Sequence, residues 1–220
     1  MTVAENVERT RGRIAEAGGD PNVLKIVAVT KGQGLGAQRA ALAAGVFDLG
    51  ESYAQELAPK AAALDDEPVR WHFIGQLQRN KVRRLAHAVT LWQSVDRLSL
   101  GAEIARHAPG AAVLVQVDLS GGPGRGGAPP ELVPGLVAGL VDLGLDVRGL
   151  MAVGPPGRPV DAAAGFATVV GIADRLGLVE RSIGMSADLE VAVAAGSTMV
   201  RIGTALFGER SRFSAADVEN

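Results

Sequence analysis

The chain has 220 residues, 47% hydrophobic and 21% charged, with a formal net charge of -2. A chain of this length buries a full core, and so small a net charge gives no general attraction to nucleic acid or to an anionic membrane. The absence of cysteine excludes disulfides and thiolate nucleophiles, and the three histidines lack metal-ligand spacing, so we expect no structural metal and a small-molecule partner.

The sequence indicates neither a secretion signal nor a membrane span. The first residues carry early acids and no apolar segment, which argues against a signal peptide. The longest apolar stretch, 132–145, is broken by proline, glycine and aspartate and cannot span a bilayer. We therefore expect a cytoplasmic protein without membrane or nucleic-acid partners.

Short apolar runs alternate with helical segments along the whole chain. The predicted helices cover 2–17, 36–44, 51–64, 79–87, 98–107, 131–143, 161–176 and 188–195. The predicted strands cover 24–31, 46–50, 69–75, 90–95, 111–119, 147–153, 181–185 and 199–202. This alternation predicts an α/β fold, a single (β/α)8 TIM-type barrel domain over 1–220 with a short polar tail at 209–220. An open doubly wound sheet is the main alternative.

The first predicted strand ends on a lysine. Its sequence, Leu-Lys-Ile-Val-Ala-Val-Thr-Lys at 24–31, is typical of a strand buried on both faces. A buried, unpaired ammonium tends to lose its proton, and the resulting amine is a nucleophile toward carbonyl groups. The simpler interpretation, which this stretch alone favours, is that Lys31 marks the strand end and reaches solvent.

Two turns near the end of the chain combine glycine with a hydroxyl group. Barrels carry their chemistry at the carboxyl ends of the strands, and the loops after strands seven and eight often bind phosphate. Ser186 follows strand seven as the predicted N-cap of the next helix, and Gly203 and Thr204 follow strand eight. Either hydroxyl alone is explained as a helix cap, but both together favour one shared phosphate.

Strands one and eight are neighbours in a closed barrel, so Lys31 and Arg201 are expected to project toward one mouth. An amine, a guanidinium and a phosphate cradle together fit pyridoxal phosphate, bound through a Schiff base and through anion contacts. A sugar phosphate is the competing ligand.

Six segments then carry a family resemblance. They are Ala-Val-Thr-Lys at 28–31, Gly-Glu-Ser-Tyr-Ala-Gln-Glu at 50–56, Trp-His-Phe-Ile-Gly-Gln-Leu-Gln-Arg-Asn-Lys at 71–81, Gly-Leu-Met at 149–151, Gly-Met-Ser at 184–186 and the run 194–208. On these motifs the chain resembles the pyridoxal phosphate homeostasis protein family over nearly its whole length. That family is similar to the barrel domain of alanine racemase and of bacterial-type ornithine decarboxylases but lacks their second, β-rich domain.

The resemblance implies a set of cofactor contacts. By it, Lys31 holds pyridoxal phosphate as an N6-lysine aldimine, and Arg201 faces the pyridine nitrogen. Phosphate contacts fall on Ser186, Gly203 and Thr204, and ring contacts on Ser52, His72, Met151 and Met185. The family usually has asparagine where this chain has Ser52, and threonine, lysine and proline where it has Gly-Gln-Gly at 32–34. For His72 the alternative is a core histidine with satisfied hydrogen bonds.

The same arginine favours a carrier over a catalyst. A guanidinium cannot accept a hydrogen bond from a protonated pyridine nitrogen, and its positive charge disfavours protonation of that nitrogen. The ring would therefore be a weak electron sink. The one tyrosine, Tyr53, lies in the predicted helix after strand two, and no catalytic partner for Lys31 can be placed. We expect a monomer that is not an enzyme and that buffers this vitamin B6 cofactor or delivers it to apoenzymes. The alternatives are a pyridoxal-phosphate-dependent racemase or decarboxylase and a Schiff-base sugar-phosphate aldolase.

A glycine-rich motif in the middle of the chain is a poor match to the dinucleotide fingerprint. Gly-Pro-Gly-Arg-Gly-Gly at 122–127 has the spacing, but Pro123 occupies the tight turn and Ala-Pro-Pro at 128–130 delays the following helix. We expect a mobile loop instead, with Arg125 closing over the mouth.

Overall fold

The protein is described by a computed structural model that covers residues 1–120, 126–155 and 157–208. Eight parallel strands, adjacent in chain order, form a closed barrel in which the last strand pairs with the first. The strands are β1 Lys25–Val29, β2 Asp48–Glu51, β3 Arg70–Phe73, β4 Val89–Val95, β5 Ala112–Val117, β6 Asp146–Ala152, β7 Glu180–Ser182 and β8 Met199–Ile202. The predicted TIM-type barrel is confirmed, and the open-sheet alternative is wrong.

Helices surround this barrel. Within the described ranges they are α1 Val3–Glu16, α2 Leu35–Ala43, α3 Ala54–Ala63, α4 Val82–Leu85, α5 Leu98–His107, α6 Val133–Asp142, α7 Ala163–Arg175, α8 Leu189–Ala194 and α9 Thr204–Phe207. Short 3-10 turns precede three of them, at Arg79–Lys81, Pro130–Leu132 and Pro159–Ala162. The helix predicted over 79–87 is therefore a 3-10 turn followed by a single α-helical turn. None of the helices in the described ranges is long and apolar enough to cross a lipid bilayer.

Among the strands, the largest departure from the predicted bounds is the seventh. It spans Glu180–Ser182, whereas the apolar pattern predicts 181–185. Gly184 adopts a φ of +96°, a left-handed conformation that ends the extended backbone and favours glycine. The chain then turns, and the Met185 N–H donates to Asp188 Oδ1 at 2.6 Å. The residues after β7 thus form a turn at the barrel mouth.

Two hydrophobic cores follow from the alternation of side chains along the strands. The larger core lies between the strands and the helices and includes Trp92, Phe73 and Phe166. The smaller core joins strands from opposite sides of the barrel and so fills its interior; its members are Val27, Leu91, Ala112, Leu114, Met151 and Met199. Because side chains alternate with period two, residues in step with Val27 and Met199 face inward. Lys31 continues the row of Val27 at the mouth, and Arg201 continues that of Met199.

The loop after β5 has a geometry unlike that of a dinucleotide-binding turn. Gly126 and Ala128 lie alongside the end of β5, where Ala128 forms an isolated parallel bridge with Val117 and Gly126 O accepts from Gln116 Nε2 at 2.6 Å. No helix begins at the last glycine, and the first helical turn starts only at Pro130. Arg125 lies outside the described residues, as does the tail predicted at 209–220.

Candidate functional site

Arg201 is a buried cation on the inner wall of the barrel. It is 4% exposed, and its pairing opposite Val27 of β1 sets it below the mouth. Its Nη1 donates to the Ser182 carbonyl and hydroxyl at 2.6 and 2.8 Å, and its Nη2 donates to the Ala152 carbonyl at 2.8 Å. Burial lowers the pKa of Arg201 to about 10, and the charge of Asp188 opposes this effect. In the described part of the chain its hydrogen-bond acceptors are neutral, and it forms no ion pair.

A guanidinium has five N–H donors, so three hydrogen bonds to neutral oxygens satisfy neither its full donor capacity nor its charge. A ligand atom that brings a lone pair or negative charge against Arg201 would therefore be stabilised.

The turns after β7 and β8 meet, as the sequence predicts. Ser186 Oγ accepts a hydrogen bond from the Ala205 N–H at 3.3 Å, which joins one turn to the other. Gly203 packs against the backbone of Val29, and Thr204 is exposed. The two turns and the end of β1 therefore lie together at one side of the mouth.

The expectation that Ser186 caps the following helix is wrong. Helix α8 begins at Leu189, and Asp188 occupies the N-cap position. The Asp188 carboxylate folds back onto the Met185 N–H, which fixes the turn before the helix can start. The Ser186 hydroxyl is thereby directed to the neighbouring turn rather than to its own helix.

An arginine from the first helix braces the same turn. Arg13 Nη2 donates to the Ser186 carbonyl at 3.0 Å. Arg13 also binds both carboxylate oxygens of Glu190, at 2.6 and 2.9 Å, and this bidentate pair fixes the plane of its guanidinium. Nothing in the sequence points to this contact, because it joins positions 173 residues apart.

One buried ammonium holds the backbone on both sides of Lys31. Lys60 of α3 is 7% exposed, and its Nζ donates to the Thr30 carbonyl at 2.9 Å. The same Nζ lies 2.9 Å from Glu56 Oε2, and that oxygen accepts the Gly32 N–H at 2.7 Å. The residues before and after Lys31 are thus tied to one charge. We call Lys60, Glu51 and Glu56 the lysine clamp.

Glu51 is the third member of the lysine clamp and lies on β2. Its Oε1 accepts from Lys60 Nζ and from Thr30 Oγ1, both at 2.7 Å, and the residue is fully buried. Burial raises the pKa of Glu51, whereas the Lys60 charge and the hydrogen bonds from Lys60 and Thr30 oppose the rise. Its Oε2 has no hydrogen-bond partner among the described residues. This carboxylate therefore depends on Lys60 for its charge compensation.

His72 lies in the barrel interior, where it is 2% exposed and hydrogen-bonded at both ring nitrogens. This is the arrangement of a satisfied core histidine. Met151 belongs to the interior core, while Ser52 and Met185 are half-buried after β2 and β7. All nine predicted contact residues thus lie on the inner wall or at the mouth of the barrel: Lys31, Ser52, His72, Met151, Met185, Ser186, Arg201, Gly203 and Thr204.

The opposite side of the mouth is more open. A cavity of about 500 Å³ lies beside Ser52 and Tyr53 and is also lined by Phe73, Gln76 and Arg97. The loops of β2 and β3 approach closely here, since a Cβ added to Gly75 would lie 2.0 Å from the Ser52 carbonyl oxygen. Position 75 therefore requires glycine, and the Ser52 backbone has little room to move.

The lysine clamp gives a first prediction. Replacing Lys60 by methionine should leave Glu51 buried and unpaired and lower the free energy of unfolding by about 3–5 kcal/mol, as urea denaturation would measure. Adding Glu51→Gln should restore part of the loss because it removes the unpaired charge. Lys81→Met, at an exposed lysine, is the control and should change stability by less than about 0.5 kcal/mol. If Lys60→Met were as stable as the wild type, Lys60 would not be the charge partner of Glu51.

Comparison with known proteins agrees with this geometry. The family model of the alanine racemase N-terminal domain matches residues 2–211. A Pseudomonas aeruginosa protein named pyridoxal phosphate homeostasis protein is 41% identical, with 95% of this chain and 96% of the relative covered. A Deinococcus radiodurans protein of the same name is also 41% identical, covering 94% of this chain and 100% of the relative.

Solved structures give the same result. PipY of Synechococcus elongatus without pyridoxal phosphate superposes with a TM-score of 0.85 at 32% identity, covering 94% of this chain and 100% of that one. PipY with pyridoxal phosphate bound superposes with a TM-score of 0.78, covering 90% and 100%. The barrel, the site and these relatives together lead to one conclusion: this chain belongs to the pyridoxal phosphate homeostasis protein family, built on the alanine racemase N-terminal domain fold.

Proposed function

We propose that this protein binds pyridoxal phosphate as a Schiff base on Lys31 and buffers the cofactor or delivers it to apoenzymes. The observation that carries the proposal is the placement of Lys31, the buried Arg201 and the joined turns of Ser186 and Ala205 on adjacent strands of one barrel mouth. The structure of PipY with pyridoxal phosphate bound, a protein of 32% identity, supports the ligand. We further propose that the carrier acts in the cytoplasm as a monomer.

The residues at the mouth fit the chemistry of this cofactor. When bound, pyridoxal phosphate supplies an aldehyde that reacts with a lysine amine, a phosphate group and a pyridine nitrogen. In the proposal Lys31 provides the amine, oriented by the lysine clamp through Thr30 and Gly32. The turns of Ser186, Gly203 and Thr204 would hold the phosphate with hydroxyl and backbone N–H groups. Arg201 would donate to the ring nitrogen, which compensates its otherwise unpaired charge.

The remaining proposed contacts surround the ring. Met151 and Met185 would offer polarizable sulfur to its faces. His72 would approach it only with its ring carbons, because both of its nitrogens are hydrogen-bonded within the barrel. Ser52 would contact the ring edge through its short hydroxyl, on a backbone that Gly75 holds in place.

Two features favour a carrier over a catalyst: the proposed partner of the ring nitrogen is Arg201, and the one tyrosine of the chain is accessible to solvent. A guanidinium against the pyridine nitrogen disfavours the protonated ring that stabilises carbanions. Tyr53 is 45% exposed at the N-cap of α3, a position accessible to solvent. The curated relatives are named homeostasis proteins, in agreement with this choice.

Covalent binding is tested with Lys31→Ala. The purified wild type mixed with pyridoxal phosphate should show an absorption band in the near-visible, and borohydride should fix the cofactor to the peptide containing Lys31. Lys31→Ala should lose both, because Lys31 is the amine that β1 brings to the mouth. Lys25→Ala, at the opposite end of the same strand, is the matched control and should retain both. An adduct formed at another lysine in Lys31→Ala would refute the assignment, and a colourless wild type would favour the sugar-phosphate alternative.

The phosphate contacts are tested with Ser186→Ala and Thr204→Ala. Each should weaken pyridoxal phosphate binding by about 1–3 kcal/mol, the cost of losing a hydrogen bond to a charged group. Complete loss is not expected because the backbone N–H groups remain. Pyridoxal without its phosphate is the control ligand, and its equilibrium dissociation constant should not change. A double variant with wild-type affinity for pyridoxal phosphate would leave both hydroxyls with a purely structural role.

The distinction between carrier and enzyme is tested by proton exchange. The protein loaded with pyridoxal phosphate should be incubated in deuterated water with L-alanine and a panel of other amino acids, and NMR should follow α-proton exchange and product. We expect rates far below about 1 per second, the lower range of ordinary enzymes. Exchange or turnover at enzymatic rates that disappears in Lys31→Ala would replace the carrier by a racemase-like or decarboxylase-like enzyme.

A further inference from the structure

A row of hydrogen-bonded polar side chains crosses the barrel interior behind Arg201. Arg201 Nη1 donates to Ser182 Oγ at 2.8 Å, and Ser182 Oγ donates to Gln93 Oε1 at 2.7 Å. Gln93 Nε2 lies 2.6 Å from His72 Nδ1, and His72 Nε2 lies 3.0 Å from Asp48 Oδ1. All five residues are 5% exposed or less. We call these five side chains the polar relay.

The polar relay ends on a carboxylate at the amino-terminal base of the barrel. Asp48 and Arg70 are the first residues of β2 and β3. Arg70 donates to both carboxylate oxygens of Asp48, at 3.0 and 2.6 Å, and its side chain is 51% exposed. Although burial opposes the effect, the hydrogen bonds from His72 and Arg70 hold the pKa of Asp48 well below its usual value. The polar relay therefore connects an ionised carboxylate at the base to a guanidinium near the mouth.

The groups along the polar relay permit a single direction of donation. An ionised Asp48 only accepts, so His72 must donate from Nε2. The Gln93 amide nitrogen lies 2.6 Å from His72 Nδ1 and 3.1 Å from Met199 Sδ. The thioether sulfur of Met199 carries no hydrogen, so turning the amide over would set two acceptors, the Gln93 oxygen and this sulfur, against each other. His72 Nδ1 must therefore accept, which makes His72 a neutral imidazole with its proton on Nε2.

This direction determines how Ser182 meets Arg201. A serine hydroxyl has one hydrogen and two lone pairs, and its hydrogen rotates freely unless an acceptor holds it. Gln93 Oε1 holds that hydrogen, so a lone pair of Ser182 Oγ stays directed at Arg201 Nη1. Gln93 in turn is held by His72, and His72 by Asp48.

We propose that the polar relay positions the Arg201 guanidinium for the cofactor's ring nitrogen, with Ser182, Gln93 and His72 as positioning residues and His72 kept as the neutral Nε2–H tautomer. This inference rests on the proposed function, because that function supplies the ligand of Arg201. The tautomer, by contrast, is a property of the protein without any ligand. The two can therefore be tested separately.

Nitrogen-15 NMR of the histidine side chains in the ligand-free protein at neutral pH tests the direction. The chain has three histidines, and His72→Gln identifies the signals of His72. The expected spectrum shows a protonated Nε2 and an unprotonated Nδ1. Gln93→Glu replaces the donating N–H by an oxygen that only accepts, so His72 should then carry protons on both nitrogens. A proton on Nδ1 in the wild type would overturn the proposed direction, and this spectrum decides even if Gln93→Glu does not fold.

Cofactor titration tests the positioning. Ser182→Ala removes one oxygen and leaves Arg201 bonded to the Ser182 and Ala152 carbonyls, so we expect pyridoxal phosphate affinity to fall about three- to tenfold, the effect of one hydrogen bond. The absorption band of the bound cofactor should also shift, because the charge near its ring nitrogen has moved. Ser94→Ala is the matched control: Ser94 is buried in β4 beside Gln93 but takes no part in the polar relay.

Wild-type affinity and an unshifted band in Ser182→Ala would overturn the positioning role. If the wild type itself bound no pyridoxal phosphate, the proposed function would fail together with the ligand of Arg201. The histidine spectrum would then still report whether His72 donates to Asp48 and accepts from Gln93, so the two failures are distinguishable.

Discussion

Burying one guanidinium inside a parallel barrel is the constraint on which the rest of the site depends. The cost of removing Arg201 from water is large, and the charge of Asp188 offsets only part of it, so hydrogen bonds must supply the rest. Two strand carbonyls and the Ser182 hydroxyl supply these bonds. The Ser182 hydroxyl is available because the last side chain of the short strand β7 points inward. The charge of Arg201 thus accounts for the polar groups of the barrel interior and, in the proposed function, favours a ligand atom that offers a lone pair.

Two lysines close in space show how surroundings divide roles between identical side chains. Lys60 is buried between two carboxylates and a carbonyl, and its ammonium is fully engaged in holding them. Lys31 is half-buried two residues beyond β1, and the alternation along this strand sets it in step with Val27 of the interior core. In the proposed function the Lys31 amine changes its bonding when the cofactor enters or leaves, so it is poorly suited to hold the loop around it. The lysine clamp separates these tasks, so that the backbone around Lys31 is held by the side chains of other residues.

The sequence predicted the fold well because periodicity and glycine stops are local signals. The bounds of α5 and β8 coincide with the predicted ones. Lys31 and the two turns fall at one mouth, with Arg201 on the inner wall below it, because closure at eight strands makes β8 the neighbour of β1. The N-cap assignment of Ser186 was wrong because Asp188 is the better placed competitor. What the sequence missed are contacts between distant segments, Arg13 with Ser186 and the polar relay. A usable signal existed for the second, since Gln93 and Ser182 are polar residues within buried strands.

The brace from Arg13 to the Ser186 carbonyl has a consequence for synthesis of the chain. The turn at Ser186 is bonded to Ala205 on one side and to Arg13 of α1 on the other. In sequence, the lysine clamp lies between Arg13 and Ser186. No short contiguous portion of the chain contains the complete mouth, because contacts of such large sequence separation form only after the closing strand has been made. A nascent chain emerging from the ribosome would thus expose Lys31 well before any anion cradle exists beside it. In the proposed function, cofactor capture would therefore follow translation and would report closure of the barrel.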